Sequence, residues 1–491
     1  MRYDAFKNRG PIADGEMSEE KPGLANVFNV QNLSNSQKTS RLQEGWREQT
    51  QSVFASAEVG YKGAYYLTLT ARNDWPSQLA GPHSNKKSFF YPSVGASVVL
   101  SQIIPNMPAN LEYLKIRGSY ASVGTAFERY IANPKYKWNS SGLSWNTQTQ
   151  YPMYDLKPEL TNSWEVGLSM RFLKWFSLEA TYYHTNTKNQ TFNPQISTGS
   201  GSSEIYIQSG DVMNQGCEIS LGFGKDWNKF RWDSNLAFST NQNRIESLAD
   251  NVLNAATGEE FSVDQLDMNG LGLAHFILRK GGTLGDLYSF ADFKYDSNGM
   301  IVVNEDGTVS PSMIADAKNY VKLGSVLPKA NLSWRNDFRI AGFNFGFLIT
   351  ARFGGIVYSS TQAVLDYYGV SEASAAARDA GGVYINGGDR VDANKWYSSV
   401  GGSNPLPQEY TYSGTNVRLQ EASIGYTFPR KMLGNVCDLN LSIVGRNLWM
   451  IYNKAPFDPE SVATTGNYYQ GIDYFMMPSL RNFGFNVRIT F

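Results

Sequence analysis

The chain has 491 residues, with 43 basic and 44 acidic side chains and a net charge of −1. That balance argues against a nucleic-acid partner, because a phosphate binder needs a net basic face. Cys217 and Cys437 are far apart and His83, His184 and His275 stand singly, so neither a disulfide framework nor a zinc site is expected.

No apolar run approaches the roughly 20 residues that a membrane helix needs. The negative mean hydropathy of −0.37 is still compatible with a β-barrel, whose alternating strands average out polar. Met1 to Gly10 is charged and lacks the apolar core of a secretion signal.

Alternation with period two dominates the chain and is the strand signature. In chain order it predicts thirteen crossing strands near 51–61, 64–73, 91–101, 111–122, 162–172, 175–186, 213–224, 229–241, 327–339, 342–353, 415–428, 437–449 and 479–491. The clearest sets Phe343, Phe345, Phe347, Ile349, Ala351 and Phe353 against Asn344, Gly346, Leu348, Thr350 and Arg352. The last sets Phe483, Phe485, Val487, Ile489 and Phe491 against Gly484, Asn486, Arg488 and Thr490. These strands are longer than the common soluble length of about 5 to 6 residues and close to that of a tilted membrane-crossing strand. Aromatics such as Trp164, Phe172, Trp175, Phe343 and Phe353 fall near strand ends, where interfacial girdles sit. Links alternate between short (62–63, 173–175, 225–228, 340–341) and long (about 123–161, 187–212, 242–326, 354–414 and 451–478). Outer-membrane barrels have short periplasmic turns and long external loops, so the parity assigns a side to every link.

The fold expected is therefore all-β: a transmembrane antiparallel β-barrel with long extracellular loops. An odd number of antiparallel strands cannot close on itself, and an open edge in lipid leaves backbone groups unsatisfied. Residues 51–491 are read as the C-terminal part of a barrel and residues 1–50 as the remnant of an extracellular loop, with the earlier strands upstream. Leu284 to Phe293 is read as a further hairpin strand that parity confines to a loop or to a pair.

From about Ser52 to the end, the sequence resembles the SusC/RagA-like TonB-dependent outer-membrane transporters. The resemblance is carried by Leu67-Thr68-Leu69-Thr70-Ala71-Arg72-Asn73-Asp74, Phe90-Tyr91-Pro92-Ser93-Val94, Leu114-Lys115-Ile116-Arg117-Gly118-Ser119-Tyr120 and Leu156-Lys157-Pro158-Glu159-Leu160-Thr161. It continues with Asn214-Gln215-Gly216-Cys217-Glu218-Ile219, Phe353-Gly354-Gly355, Val417-Arg418-Leu419, Ile424-Gly425-Tyr426-Thr427-Phe428-Pro429, Gly445-Arg446-Asn447-Leu448 and Phe457-Asp458-Pro459-Glu460-Ser461. The resemblance implies a barrel of about 22 strands, of which this chain supplies the last thirteen. It also implies an N-terminal plug and TonB-contacting segment that this sequence lacks, a SusD-like surface lipoprotein over the loops, energy from the TonB complex, and a multi-pass place in the outer membrane of a Gram-negative cell. The function expected is import of a glycan or oligopeptide. A passive porin or surface-binding barrel without energised gating is the alternative, and a soluble β-rich binding protein or carbohydrate-active enzyme is a third reading.

No catalytic constellation is visible: there is no Gly-x-Ser-x-Gly and no Walker A motif, and no enzyme activity or cofactor is expected. The acidic turns Asp296-Ser297-Asn298-Gly299 and Asn304-Glu305-Asp306-Gly307 resemble calcium loops in composition, and equally the turns of hairpins with Gly at each corner. Loop aromatics Trp138, Trp145, Tyr206, Trp396, Tyr397, Tyr468, Tyr469 and Tyr474 are candidates for contact with cargo or lid, since Tyr and Trp are enriched where binding energy concentrates. Glu165, Arg171, Arg352, Arg446 and Arg488 are the candidate lumen-facing charges.

Overall fold

The structure is a computed structural model that describes residues 2–4, 48–80, 87–127, 131, 137–139, 144–146, 157–193, 206–253, 260–464 and 469–491. The bulk of the chain before Glu48 lies outside the described residues, and with it most of the segment read as a loop remnant.

One antiparallel sheet organises the chain. Its strands are β1 Glu48–Tyr61, β2 Tyr65–Pro76, β3 Phe89–Val99, β4 Leu111–Thr125, β5 Glu159–Phe172, β6 Phe176–Phe192, β7 Ile207–Asp226, β8 Phe230–Thr240, β9 Gln242–Ser247, β10 Ala330–Ile340, β11 Phe343–Phe353, β12 Asn416–Phe428, β13 Asp438–Asn453 and β14 Asn482–Thr490. The sheet holds fifteen strands. Setting aside the three-residue Arg2–Asp4 beside β1, and β9, which continues β8 against β7, leaves the thirteen crossing strands that alternation predicts. They follow chain order, each beside its predecessor, and the sheet does not close: among the described residues β14 pairs with β13 alone. Lengths run from nine residues in β14 to twenty in β7, enough for the about 9 to 11 residues of a tilted crossing.

Short turns at one end are built from left-handed backbone. Ala341 and Gly342 join β10 to β11 with φ of 47° and 92°, both positive as a two-residue turn of matching twist requires. Lys62 and Gly63, then Leu173 and Lys174, repeat the device between β1 and β2 and between β5 and β6.

The register separates two faces. On one lie Phe343, Phe345, Trp334, Ile219 and Val166, exposed and with no protein layer over them. Phe485 on β14 is 84% exposed. Such an area of bare apolar surface is far beyond what a water-facing sheet sustains. Near the short turns this face becomes an aromatic band, in which Phe176, Phe223 and Trp232 meet at centroid distances of 5.0 and 4.7 Å, and Phe338 lies 5.9 Å from Trp232. No described helix is long and apolar enough to cross a membrane, which says nothing of a crossing by strands.

The long links at the other end build a second layer. Gln265–Leu271, Ala274–Arg279, Asp286–Ser289 and Val321–Ser325 form a four-stranded sheet. The stretch from Leu284 to Phe293 therefore contributes to this layer, not to the wall. Ile356–Ser359 pairs in parallel with Ile472–Asp473 and antiparallel with Thr411–Ser413. Helices α1 Ser360–Tyr367, α2 Glu372–Asp379 and α3 Ala393–Val400 lie between. Phe276, Leu287, Tyr358, Trp396, Leu406 and Ile472 share one buried cluster, so the links between β9 and β10, between β11 and β12 and between β13 and β14 contribute described residues to one packed core.

Candidate functional site

The polar face of the sheet gathers charge by strand geometry. Residues i and i+2 share a face, and an Arg-x-Asp spacing therefore becomes a side-by-side pair. Arg72 meets Asp74 at 2.7 Å, Arg231 meets Asp233 at 2.7 Å and Arg335 meets Asp337 at 2.8 Å. Cross-strand neighbours extend the lattice: Arg446 lies 2.9 Å and Arg335 3.9 Å from Glu421. Away from the charges, Asn344 and Asn440 both donate to the Thr427 hydroxyl, at 2.9 and 2.8 Å.

The five candidate charges all fall on this face. Glu165 lies opposite Ser119 and Tyr183, Arg171 opposite Ser177, Arg352 opposite Asn331, Arg446 opposite Glu421 and Arg488 opposite Asn440. They are spread over four strands, with Glu165 and Arg171 both on β5, and are not brought together as one site. Arg171 stacks over Tyr113 at 5.2 Å. Arg352 donates to the Val326 carbonyl at 2.9 Å. With Arg117, Glu179, Glu218 and Glu460, Arg352 lines a cavity of about 760 Å³.

Two motifs far apart in sequence meet at the loop end of this face. Arg418 of β12 binds Asp458 through both terminal guanidinium nitrogens, at 2.7 and 3.1 Å, and reaches Glu460 at 3.0 Å. Its side chain is 5% exposed and that of Asp458 11%. Burial raises the Asp458 carboxyl, but hydrogen bonds from Arg418, Ser479 and the Glu460 backbone outweigh it and hold it below the usual range. Opposed charges with matched geometry thus fasten the 451–478 loop to the wall.

The loop aromatics divide. Trp396 is 4% exposed and stacks on Phe293 at 5.6 Å, so as a contact for cargo or lid it is corrected: its ring is spent in the core of the loop layer. Asp392 caps α3, and Ala393, Trp396 and Val400 form its buried stripe. Tyr397 sits beside that stripe, half-buried. Tyr469 is half-buried, edge-on to Phe276 at 6.1 Å, and Tyr206 packs on the cluster of Leu79, Phe89, Phe127 and Ile131. Trp138 and Trp145 are register partners in the ribbon of Lys137–Asn139 and Ser144–Asn146, and their rings, like all of Tyr468, lie outside the described residues. Tyr474 is exposed, edge-on to Phe475 at 5.4 Å. Tyr368, 71% exposed, Tyr384 and Phe475 are further open aromatics.

The acidic turns hold themselves. The Asp296 carboxylate accepts from the Asn298 and Met300 backbones at 2.8 and 2.9 Å, and Asp306 accepts from the Thr308 backbone and hydroxyl at 2.9 and 2.6 Å. Bridges Tyr295↔Ile301 and Val303↔Val309 make both corners hairpins. Among the described residues no group of three or more His, Cys, Asp or Glu gathers as a metal site. His275 bonds Asp267 at 2.9 Å in the loop layer, while His184 stacks on Trp164 of the wall.

Comparison with known proteins follows the same lines. A family model described as TonB dependent receptor-like, beta-barrel matches residues 16–340. TonB-dependent receptor P3 of Formosa agariphila is 22% identical over 520 residues, covering 100% of this chain and 50% of that protein. TonB-dependent receptor P39 of the same organism is 22% identical, covering 83% and 43%. The chain thus spans about half the length of the curated relatives it matches. Among solved structures, the RagAB peptide importer in its closed-closed state superposes with a TM-score of 0.71 at 17% identity, over 94% of this chain and 49% of that one. Its open-open state gives 0.64 at 15%, over 93% and 48%. The thirteen-strand sheet, its bare apolar face and the family match over most of the chain lead to one conclusion: this protein belongs to the TonB-dependent receptor β-barrel family, a family of outer-membrane receptors and transporters and not of enzymes.

Proposed function

We propose that this chain forms the outward wall and the capture loops of an outer-membrane importer that draws an oligopeptide or glycan through a plugged barrel with energy from TonB. The observation that carries the reading is the division of one sheet into a bare apolar face and a face lined by paired charges, with a packed loop layer over one end. The apolar face meets acyl chains, the charged face meets the plug and the passing cargo, and the loop layer faces the cell exterior. A SusD-like surface lipoprotein covers that layer, and Tyr368, Tyr384, Tyr474 and Phe475 offer it, or the cargo, open rings. The likeness to a peptide importer favours oligopeptides over glycans as first cargo to try.

The test is uptake of a labelled oligopeptide mixture by cells carrying the complete receptor, with and without a functional TonB. The reading expects uptake that disappears without TonB. Uptake that persists unchanged would mean a passive barrel, and no uptake of peptides or glycans in either strain would contradict import.

A further inference from the structure

On the apolar face, the strands change character at one level. Along β8, Leu236 and Phe238 give way to Thr240, and in register above it β9 presents Gln242 and Arg244 beside Gln215 and Met213 of β7. Along β6, Tyr182 packs at 5.3 Å from Trp164 of β5, with its hydroxyl donating to Gln215 at 3.1 Å. Gln215 in turn donates to Gln242 at 2.8 Å. An aromatic ring with its polar tip among amides marks a membrane–water boundary.

A cleft of about 990 Å³ opens at this level, between the β7–β9 ribbon and the loop residues that lead into β10. Its cations are Arg244, Lys322 and Lys329. Arg244 faces Glu246 at 3.3 Å and Lys322 holds the buried Asp286 at 2.5 Å, but Lys329 makes no ion pair among the described residues. The cleft lies in the middle of the sheet, far from the edges at β1 and β14, so no further barrel strand covers it.

We propose that this cleft binds the phosphorylated sugar head group of an outer-leaflet glycolipid. Gln215, Gln242 and Thr240 offer amides and a hydroxyl to sugar hydroxyls, Lys329 and Arg244 take the phosphate, and the acyl chains run down past Tyr182 and Phe238. The size fits a site for a small head group, about 300–1,000 Å³. The proposal rests on the outer-membrane reading, which density-gradient fractionation of the cell envelope tests separately.

The experiment uses the complete receptor in mild detergent, with native mass spectrometry reading the lipid retained after incubation with lipid A, with phosphatidylglycerol or with inorganic phosphate. The native protein retains lipid A in preference to phosphatidylglycerol, and Lys329→Gln combined with Arg244→Gln lowers lipid A retention at least tenfold while leaving phosphatidylglycerol unchanged. Heat-modifiable migration on gels verifies that the variant is folded. Should the double variant fail to assemble, Lys329→Gln alone, a change at one exposed side chain, is expected to lower retention about threefold. Unchanged lipid A retention, an equal fall for both lipids, or binding of inorganic phosphate without lipid overturns the proposal.

Discussion

Replacing Arg418 by Met should free the 451–478 loop from the wall. The guanidinium is 5% exposed and serves Asp458, itself 11% exposed, through two contacts, with Glu460 as a third partner. Removing one member of a buried pair costs about 3–5 kcal/mol, because the other is left uncompensated. The Glu460 backbone still donates to Asp458 at 3.0 Å, which puts the expected cost near the lower end, about 3 kcal/mol. Asp458→Asn should cost less, about 1.5 kcal/mol, since Arg418 keeps Glu460 and the Asn416 side-chain Oδ1 at 3.3 Å. Hydrogen exchange of peptides covering 454–464 reads this opening directly: about 3 kcal/mol is a hundredfold or more in exchange rate. The double variant should fall short of the sum of the two by about 1–3 kcal/mol. The sign of the pH dependence follows from the lowered Asp458 carboxyl. Its contribution is present above the unfolded value of about 3.9 and is lost as pH falls through the folded value, so the loop opens on acidification and Asp458→Asn abolishes that step. Exchange unchanged in Arg418→Met, or strictly additive variants, would refute the clamp.

Other expectations concern the two faces and the loop layer. Ile219→Arg places a charge on the apolar face and should cost about 2–4 kcal/mol in folding into lipid, whereas the adjacent Ser220→Arg, on the charged face, should cost under about 1 kcal/mol; reversible unfolding in vesicles compares them. Trp396→Ala should destabilise the loop layer by about 3–5 kcal/mol, seen as protease cleavage within 354–414, while Tyr368→Ala leaves that resistance intact and weakens capture of cargo or lid. Burial raises the Asp366 carboxyl, so the contribution of this one group to the loop layer should be fully present below about pH 4 and be lost as pH rises through the raised value. Asp366→Asn keeps the acceptor for Gln362 and Ser371 and should flatten that profile in thermal melts.

The thirteen crossing strands were legible because lipid on one side and polar surroundings on the other impose a period of two over ten or more residues, as in Phe343 to Phe353. The placing of Arg352, Arg446 and Arg488 on the polar face follows from the same parity. The loop layer was not legible, since its pairings join short segments far apart, such as Tyr358 with Ile472, and no local period announces them. One part could have been read: Asp392 followed by Ala393, Trp396 and Val400 is a capped helix with an apolar stripe, which marks Trp396 as core. The Arg-x-Asp spacing at 72, 231 and 335, set on alternating strands, likewise announces paired charges. Arg418 and Asp458 each stood out within a motif, but their meeting depends on the path of the 451–478 loop.

The proposed function requires the two faces of this sheet to meet different solvents. Spin labels placed singly along Phe343–Phe353, in the complete receptor in nanodiscs and with Cys217 and Cys437 replaced by Ser, test it most directly. Accessibility to oxygen should peak at Phe343, Phe345, Phe347 and Ile349, and accessibility to a water-soluble reagent or to plug contact at Asn344, Gly346, Leu348 and Thr350, in strict alternation. Uniform exposure to the water-soluble reagent at all eight positions, or oxygen access on neither face, would contradict the account.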